Sequence, residues 1–156
     1  MKKILFAAIA FITLGLASCE KEDVGGTATQ AVSGDWVITF TDGTDSWDIP
    51  HGLTFNTSAN VPDEIWVSDA GKFWDFKVKA KCDQSTMTFA TDGWVDNAAY
   101  ECKVRITNGK IVKNGVTLPS GRVADMISYD IEFDDDEPGN VWHATGHRYT
   151  GFQEDN

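Results

Sequence analysis

The sequence predicts an all-β domain, and three observations lead to that prediction. After residue 33 almost every segment alternates apolar and polar residues with the period of a strand, and none carries the apolar stripe of a helix. Turn residues separate these segments at intervals of about ten residues. The chain after residue 32 is also long enough to bury one hydrophobic core. Such spacing of the segments indicates an all-β sandwich or barrel. Short turns favour up-and-down neighbours and closure removes exposed sheet edges, so we expect a single up-and-down β-barrel of about eight antiparallel strands.

The first half of the domain contains five segments with the alternation of a strand. The fourth is the clearest, because Phe76, Val78 and Ala80 alternate with lysines. One face of that strand is therefore expected to point into the barrel and the other into water. In chain order, the five segments are Trp36 to Phe40, Leu53 to Phe55, Glu64 to Ser68, Phe73 to Cys82 and Ser85 to Thr91.

The second half contains further strand segments, with two strong turn signals between them. Asn108-Gly109 is typical of the two-residue turn of a β-hairpin, and Asn114-Gly115 indicates a second turn. An acidic turn from Asp134 to Asn140 precedes the last strand. The strand segments are Tyr100 to Ile106, Ile111 to Val112, Val116 to Leu118, Ile127 to Phe133 and Val141 to Phe152.

Residues 1–18 have the three parts of a signal peptide. Lys2 and Lys3 supply positive charge, and the apolar run from Ile4 to Leu16 is followed by two small residues before Cys19. An apolar run of about 13 residues spans only about 20 Å as a helix, short of the roughly 30 Å hydrocarbon core of a bilayer. An export signal that is cut off is therefore favoured over a permanent transmembrane helix.

Leu16-Ala17-Ser18-Cys19 resembles the lipobox of bacterial lipoproteins. The resemblance implies cleavage before Cys19 and attachment of lipids to its thiol, and several acyl chains hold a protein at a membrane stably. Glu20 to Asp23 resembles the acidic export signal of Bacteroidetes surface lipoproteins, so we expect an outer-membrane lipoprotein that faces the cell surface. Residues 19–32 would form a lipidated flexible tether, and residues 33–156 the barrel domain.

The charge of the chain excludes some partners. Removal of residues 1–18 takes away Lys2 and Lys3 but no acid, which changes the formal net charge from −11 to about −13. Such a surface repels phosphate backbones and anionic headgroups, so nucleic-acid binding is not expected. The membrane is expected to be reached through Cys19 only, and an outer-membrane protein is a conceivable partner. Cys82 and Cys102 remain in the mature chain, and the sequence leaves open whether they form a disulfide.

Gly34-Asp35-Trp36 resembles the Gly-x-Trp signature of lipocalins, in which the tryptophan closes one end of the barrel beneath a basic side chain of the last strand. The resemblance implies a structural latch between Trp36 and Arg148. The chain also resembles a family of lipocalin-like Bacteroidetes lipoproteins described as lipid-binding putative hydrolases. That family implies apolar ligands, and it supplies no catalytic set. The matching stretches are Asn56 to Asn60, Asp63 to Val67 with Phe73-Trp74, and Gly146 to Phe152.

The expected interior face is rich in aromatic residues, and Ala144 and Gly146 leave space opposite them. Such an interior could hold a small apolar or amphiphilic ligand. The residues expected to contact it are Phe40, Phe55, Trp74, Phe76, Tyr100, Tyr129 and Trp142. The same rings would also suit a solidly packed core. In that case the barrel would be an interaction module for a protein or a glycan, with exposed Trp47, Trp66 and Trp94 available to stack on sugar rings.

A small lipid or ester hydrolase is the other alternative. Ser58 or Ser128 could meet a histidine in space, but the chain has no Gly-x-Ser-x-Gly elbow. His143 and His147 lie about 13 Å apart if their segment is a strand, too far to bind one metal. Asp134 to Glu137 lacks the spacing of a calcium-binding loop and is better explained as a solvated turn. The sequence therefore predicts no catalytic residue, cofactor or metal site.

Overall fold

The computed structural model describes residues 25–155. The predicted signal peptide and Cys19 lie outside these residues. Among residues 25–155, no helix has the length and the hydrophobicity to cross a membrane. The strands are β1 (Gly34–Thr41), β2 (Ser46–Asn56), β3 (Glu64–Ser68), β4 (Lys77–Asp83), β5 (Thr88–Ala90), β6 (Val95–Asp96), β7 (Lys103–Thr117), β8 (Val123–Phe133) and β9 (Trp142–Arg148), and two short 3-10 turns span Gln30–Val32 and Gln153–Asp155.

Eight of these strands form a closed antiparallel barrel. Consecutive strands pair with one another, except that β5 pairs with β7 and not with β6. The two-residue strand β6 pairs with β7 beside the barrel. β1 pairs with both β2 and β9. The ring closes between β5 and β7, where Thr88 lies opposite Lys110 and Phe89 lies opposite Gly109. The predicted all-β, up-and-down barrel is confirmed.

One continuous hydrophobic core lies inside the barrel. In β1, Trp36, Ile38 and Phe40 are buried while the residues between them are partly exposed, as the two faces of a strand require. The same alternation runs through β4 and β8. Residues 25–155 thus contain the whole barrel and its core. A fragment that begins at residue 20 keeps every described contact, and we expect it to fold on its own.

The chain joins the barrel earlier than the sequence indicates. Thr29 and Val32, which the sequence places in the tether, are fully buried. The backbone N–H of Ala28 donates to Ala59, and the Gln84 side-chain amide donates to the carbonyl of Ala28. The tether therefore meets the barrel at the end that carries Val32 and the start of β1.

β7 is one long strand, and the predicted hairpin turn at Asn108-Gly109 is wrong. The strand runs through both Asn-Gly pairs, and its register against β8 shifts at each of them. Asn108 and Asn114 have positive φ angles of 55° and 53°, which asparagine tolerates better than most residues. Each pair therefore forms a β-bulge that bends the strand. The bend lets β7 pair with β8 and also with β5, which closes the barrel.

Gly146 does not leave space in the interior, contrary to the expectation from sequence. A Cβ atom at this position would lie 2.1 Å from the carbonyl oxygen of Val37. The glycine therefore allows the backbones of β9 and β1 to approach closely where Ile38 pairs with Gly146.

Candidate functional site

One end of the barrel is closed by Trp36 and Arg148, which we call the latch end. The Arg148 guanidinium lies 4.6 Å from the centre of the Trp36 ring, a cation–π geometry. Arg148 also donates to the Ser33 carbonyl at 3.1 Å. The Trp36 indole N–H donates to the Thr54 hydroxyl at 2.9 Å, and this hydroxyl donates to the Val32 carbonyl at 2.8 Å. Because every polar group in this chain of contacts is paired, the latch end is a structural closure.

Asp125 supports the latch from β8. Its carboxylate accepts hydrogen bonds from Lys113 at 2.9 Å and from Arg148 at 3.2 Å, and from the backbone N–H of Asn114 at 3.0 Å. Burial raises the pKa of Asp125, but the hydrogen bonds from Asn114 and Lys113 and the nearby charges outweigh it, so that its pKa lies below the ordinary value. The carboxylate is therefore ionised at neutral pH and stabilises the fold.

The opposite end of the barrel, which we call the mouth, is filled by a cluster of aromatic rings. Phe73 stacks on Phe40 with ring centres 4.2 Å apart and meets Trp142 edge-on at 4.9 Å. Trp74 stacks on Phe133 at 4.8 Å. We call this set the mouth cluster, and its members are Phe40, Phe73, Trp74, Phe76, Phe133 and Trp142.

Three of these rings, those of Phe73, Trp74 and Phe76, are carried by a loop that one buried carboxylate holds together. Asp69 is fully buried at the end of β3 and accepts five backbone hydrogen bonds at 2.8 to 3.0 Å. Backbone N–H groups bound to an ionised carboxylate make strong, oriented hydrogen bonds. We call residues 69–76 the Asp69 loop. The donors are Gly71, Phe73, Trp74, Asp75 and Phe76.

The acidic turn between β8 and β9 holds the tryptophans of the mouth. Asp135 accepts from the indole N–H of Trp74 at 3.1 Å and from the Tyr100 hydroxyl at 2.6 Å. Asp136 accepts from the indole N–H of Trp142 at 2.9 Å. This turn is therefore more than the solvated turn expected from sequence, because its carboxylates fix the outer rim of the mouth cluster.

Tyr129 lies directly below the mouth cluster. It pairs with Ala144, one inward-facing position deeper in the barrel than the pair of Ile131 and Trp142. Its ring meets Phe40 edge-on at 6.1 Å. Its hydroxyl is buried and makes no hydrogen bond to any other part of the chain that the structure describes. Burial raises the pKa of Tyr129, and the negative charge of Asp69 raises it further, so the hydroxyl keeps its proton.

The structure brings together five of the seven residues predicted to contact a ligand, namely Phe40, Trp74, Phe76, Tyr129 and Trp142. It leaves Phe55 outside the barrel and holds Tyr100 at the rim of the mouth, where the Tyr100 hydroxyl and the Trp74 indole share the Asp135 carboxylate. Phe55 points out of the barrel, because its neighbour Thr54 takes the inward position to bind Trp36. Tyr100 lies outside the strands and is 38% exposed, because β7 begins only at Lys103.

The sequence reasoning missed three residues of this region. The alternation predicts a strand from Phe73, but β4 begins only at Lys77, and Phe73 lies in the Asp69 loop. The alternation also does not distinguish Phe133 as a contact residue. Asp69 was missed altogether, because acids are plentiful in this chain. The signal for it is local: Asp69-Ala70-Gly71 follows a strand, and an aspartate before a glycine commonly binds the backbone of its own turn.

A surface groove of about 780 Å³ lies outside the barrel where β4, β5 and β7 meet. It is lined in part by Thr88, Phe89 and Ala90. Its rim carries charges of both signs, from Lys81, Lys110, Asp83 and Asp92. Phe89 separates this groove from the interior, since its ring meets Tyr129 at 5.7 Å.

The geometry of a serine hydrolase is not found in residues 25–155. No hydrogen bond there joins a serine to a histidine: His51 binds Asp35, His143 binds Asp130, and His147 binds the Arg148 carbonyl. Ser58 is exposed, and Ser128 makes no side-chain hydrogen bond in this part of the chain.

The groups considered for metals and sugars have protein partners. The ligand atoms of Cys102, Asp134 and Asp135 lie within 4.8 Å of one another. Each of the three already accepts a hydrogen bond. The Cys102 sulfur accepts from the Asn97 side-chain amide at 3.4 Å, Asp134 accepts from the backbone N–H of Lys103, and Asp135 accepts from the Tyr100 hydroxyl. Cys82 and Cys102 are free thiols. Lys77 and Lys79 lie over Trp66 and Arg105 lies over Trp94, while Trp47 is 55% exposed.

A closed antiparallel barrel of eight strands, with a latch at one end and a loop-borne aromatic cluster at the other, defines an up-and-down β-barrel protein. A family model described as lipid-binding putative hydrolase matches residues 21–153, and the chain belongs to that family. The match confirms the family inferred from the short motifs. No curated protein matches the chain.

Proposed function

We propose that this chain is a membrane-tethered lipid-binding protein that holds one small amphiphilic ligand at the mouth, beneath the Asp69 loop. The observation that carries the proposal is the buried Tyr129 hydroxyl, which has no hydrogen-bond partner in the described residues although it lies below a cluster of aromatic rings. A buried hydroxyl without a partner costs free energy. A ligand with a polar group at that depth would supply the missing hydrogen bond.

The loop-borne rings explain how a ligand would enter. Phe73 and Trp74 are partly exposed, whereas Phe40 and Phe76 are buried in the core. An outward movement of the Asp69 loop would uncover the face of Phe40 on which Phe73 now stacks. An alkyl chain in that place would bury apolar surface at about 25 cal/mol per Å². The ligand therefore replaces contacts that the loop makes in the closed barrel.

The tether places the mouth away from the membrane. The chain enters the barrel at the latch end, where Val32 is buried and its carbonyl accepts from Thr54. Lipids on Cys19 would hold that end nearest to the bilayer. The mouth would then face the surroundings, outside the cell if the lipoprotein is displayed on the outer membrane. The lipobox-like stretch and the acidic residues after Cys19 support this location.

Native mass spectrometry of residues 20–156, incubated with a pool of single-chain lipids and lipid esters, tests the binding function. We expect one intact lipid for each protein molecule. Trp142→Ala removes a wall of the mouth and should weaken binding, whereas the matched control Trp66→Ala changes an outward ring. Split ester products would establish a hydrolase instead, and a protein that carries no lipid from the pool would refute the proposal.

Metabolic labelling with an alkyne fatty acid tests the anchor. The full chain, expressed in a bacterium that processes lipoproteins, should incorporate the label, and Cys19→Ala should abolish incorporation. Equal labelling of the two proteins, or no labelling of either, would contradict the proposed tether. Digestion of intact cells with an added protease would then distinguish surface display from a periplasmic position.

A further inference from the structure

The segments around the mouth are strongly acidic. Four segments reach this end of the barrel, namely residues 42–45, 69–76, 91–102 and 134–141, and together they hold eleven carboxylates and one basic residue, Lys72. Lys103 at the start of β7 neutralises Asp96 at 2.8 Å. The remaining carboxylates give the mouth a negative potential, which repels an approaching anion.

The interior offers no positive charge to an anionic ligand. Among the described residues, the buried charged side chains are Asp69 and Asp155, with no lysine or arginine. Asp69 lies at the mouth, where its carboxylate accepts five backbone hydrogen bonds. A carboxylate beside it would be a like charge in a medium of low dielectric constant, which is strongly unfavourable.

The polar group that the interior does offer is a neutral hydrogen-bond donor. The Tyr129 hydroxyl keeps its proton, because burial and the charge of Asp69 raise its pKa, and it has no hydrogen-bond partner in the described residues. A phenol can donate to the oxygen of an alcohol, an ester or an ether. The five backbone bonds to Asp69 leave its two oxygens committed to the loop.

We propose that the mouth selects an uncharged single-chain lipid whose polar group carries an acceptor oxygen, such as a fatty alcohol or a monoacylglycerol, and rejects the anion of a fatty acid. This inference rests on the proposed lipid-binding function and adds the class of ligand to it. The acidic segments exclude the anion during approach, and Asp69 excludes it at the site. Tyr129 provides the contact that orients the uncharged ligand.

Calorimetry with dodecanol, monolauroylglycerol and dodecanoate at pH 8 tests the selection on residues 20–156. We expect the two uncharged lipids to bind at least tenfold more tightly than dodecanoate. Tyr129→Phe removes one oxygen and keeps the ring, and it should weaken binding of dodecanol several-fold. Equal or tighter binding of dodecanoate would refute the selection but leave the lipid-binding function intact, whereas no binding of any of the three would refute both.

A charge-reversed variant distinguishes the effect of the negative potential at the mouth on ligand binding from the effect of the shape of the site. Asp45 and Glu137 lie on mouth segments, and neither side chain makes a hydrogen bond or an ion pair among the described residues. Asp45→Lys with Glu137→Lys should tighten dodecanoate binding and leave dodecanol binding unchanged. The matched control is Glu154→Lys near the C-terminus, which should change neither. An unaltered preference in the double variant would overturn the electrostatic part of the inference.

Discussion

Asp69→Asn should release the loop that closes the mouth. In the native protein one carboxylate oxygen accepts from Phe73, Trp74 and Asp75 at 2.8 to 2.9 Å, and the other accepts from Gly71 and Phe76 at 3.0 Å. An asparagine amide has only one acceptor oxygen. Whichever way it is turned, its NH₂ group faces at least two backbone donors that it cannot satisfy.

The loss is large enough to open the loop. A hydrogen bond to a charged group contributes about 1.5–3 kcal/mol, so two lost bonds remove roughly 3–6 kcal/mol. The negative charge also disappears, which weakens the bonds that remain. Since the loop can regain hydrogen bonds to water when it opens, the lower end of this range is the better guide. A loss of about 3 kcal/mol corresponds to a rise of roughly a hundredfold in the open population.

Hydrogen exchange of residues 20–156 measures this population directly. The amides of Phe73 to Phe76 should exchange about a hundredfold faster in Asp69→Asn than in the native protein. The amides of β8 in the same sample serve as an internal reference for global unfolding. The matched control is Asp75→Asn, which removes a charge from the same loop at an exposed side chain and keeps a residue that tolerates its positive φ of 54°.

Two results would refute this reasoning about the loop. The first is exchange of the Phe73 to Phe76 amides within threefold of the native rate in Asp69→Asn. The second is equal acceleration of loop and β8 amides, which would mean that Asp69 stabilises the whole barrel and not the loop in particular.

Three further substitutions test the barrel contacts that support the site, and urea unfolding measures the free energy of unfolding of each variant. Gly146→Ala should lower the free energy of unfolding by about 3 kcal/mol, because its Cβ atom would lie 2.1 Å from a backbone oxygen. In the control Gly43→Ala the φ of 92° is strained but no atom obstructs the new Cβ, so the loss should be about 1 kcal/mol. Equal losses would contradict the close approach of β9 to β1. Arg148→Ala should lower the free energy of unfolding by about 2 kcal/mol, because it removes the contact with Trp36 and the hydrogen bonds of the guanidinium. An unchanged free energy of unfolding would contradict the latch. Asp125→Asn should lower the free energy of unfolding by about 1–3 kcal/mol at pH 7. Because the pKa of Asp125 is lowered in the fold, its ionised carboxylate stabilises the protein at neutral pH, and this stabilisation is lost as the pH falls through that lowered pKa. A difference between the two proteins that does not shrink as the pH falls would contradict an electrostatic cause.

The fold could be predicted because alternation in a strand depends only on the neighbours of each residue. Trp36, Phe40, Tyr129 and Trp142 follow that alternation and point inward as expected. Phe55 does not, because Thr54 is buried by two hydrogen bonds that hydrophobicity does not reveal. A polar residue becomes an inward residue when the core supplies its partners.

The closure of the barrel and its mouth depends on contacts between distant segments, which the sequence does not display. An Asn-Gly pair permits either a hairpin turn or a bulge. Here it forms a bulge, because β7 continues through it and pairs with both β5 and β8. The role of Asp69 likewise emerges only when the loop folds back over its carboxylate. The aromatic residues of the site were therefore easier to predict than the acids that hold them in place.

The central claim is that a lipid lies inside the mouth, and photo-crosslinking tests it most directly. Residues 20–156 would be incubated with a fatty alcohol that carries a diazirine in its chain, irradiated, digested and mapped by mass spectrometry. The proposed site predicts crosslinks to Phe40, Tyr129 and Trp142 that excess dodecanol suppresses. Crosslinks confined to the outward residues Phe55 and Trp66, or to the groove beside β5, would contradict a ligand inside the barrel.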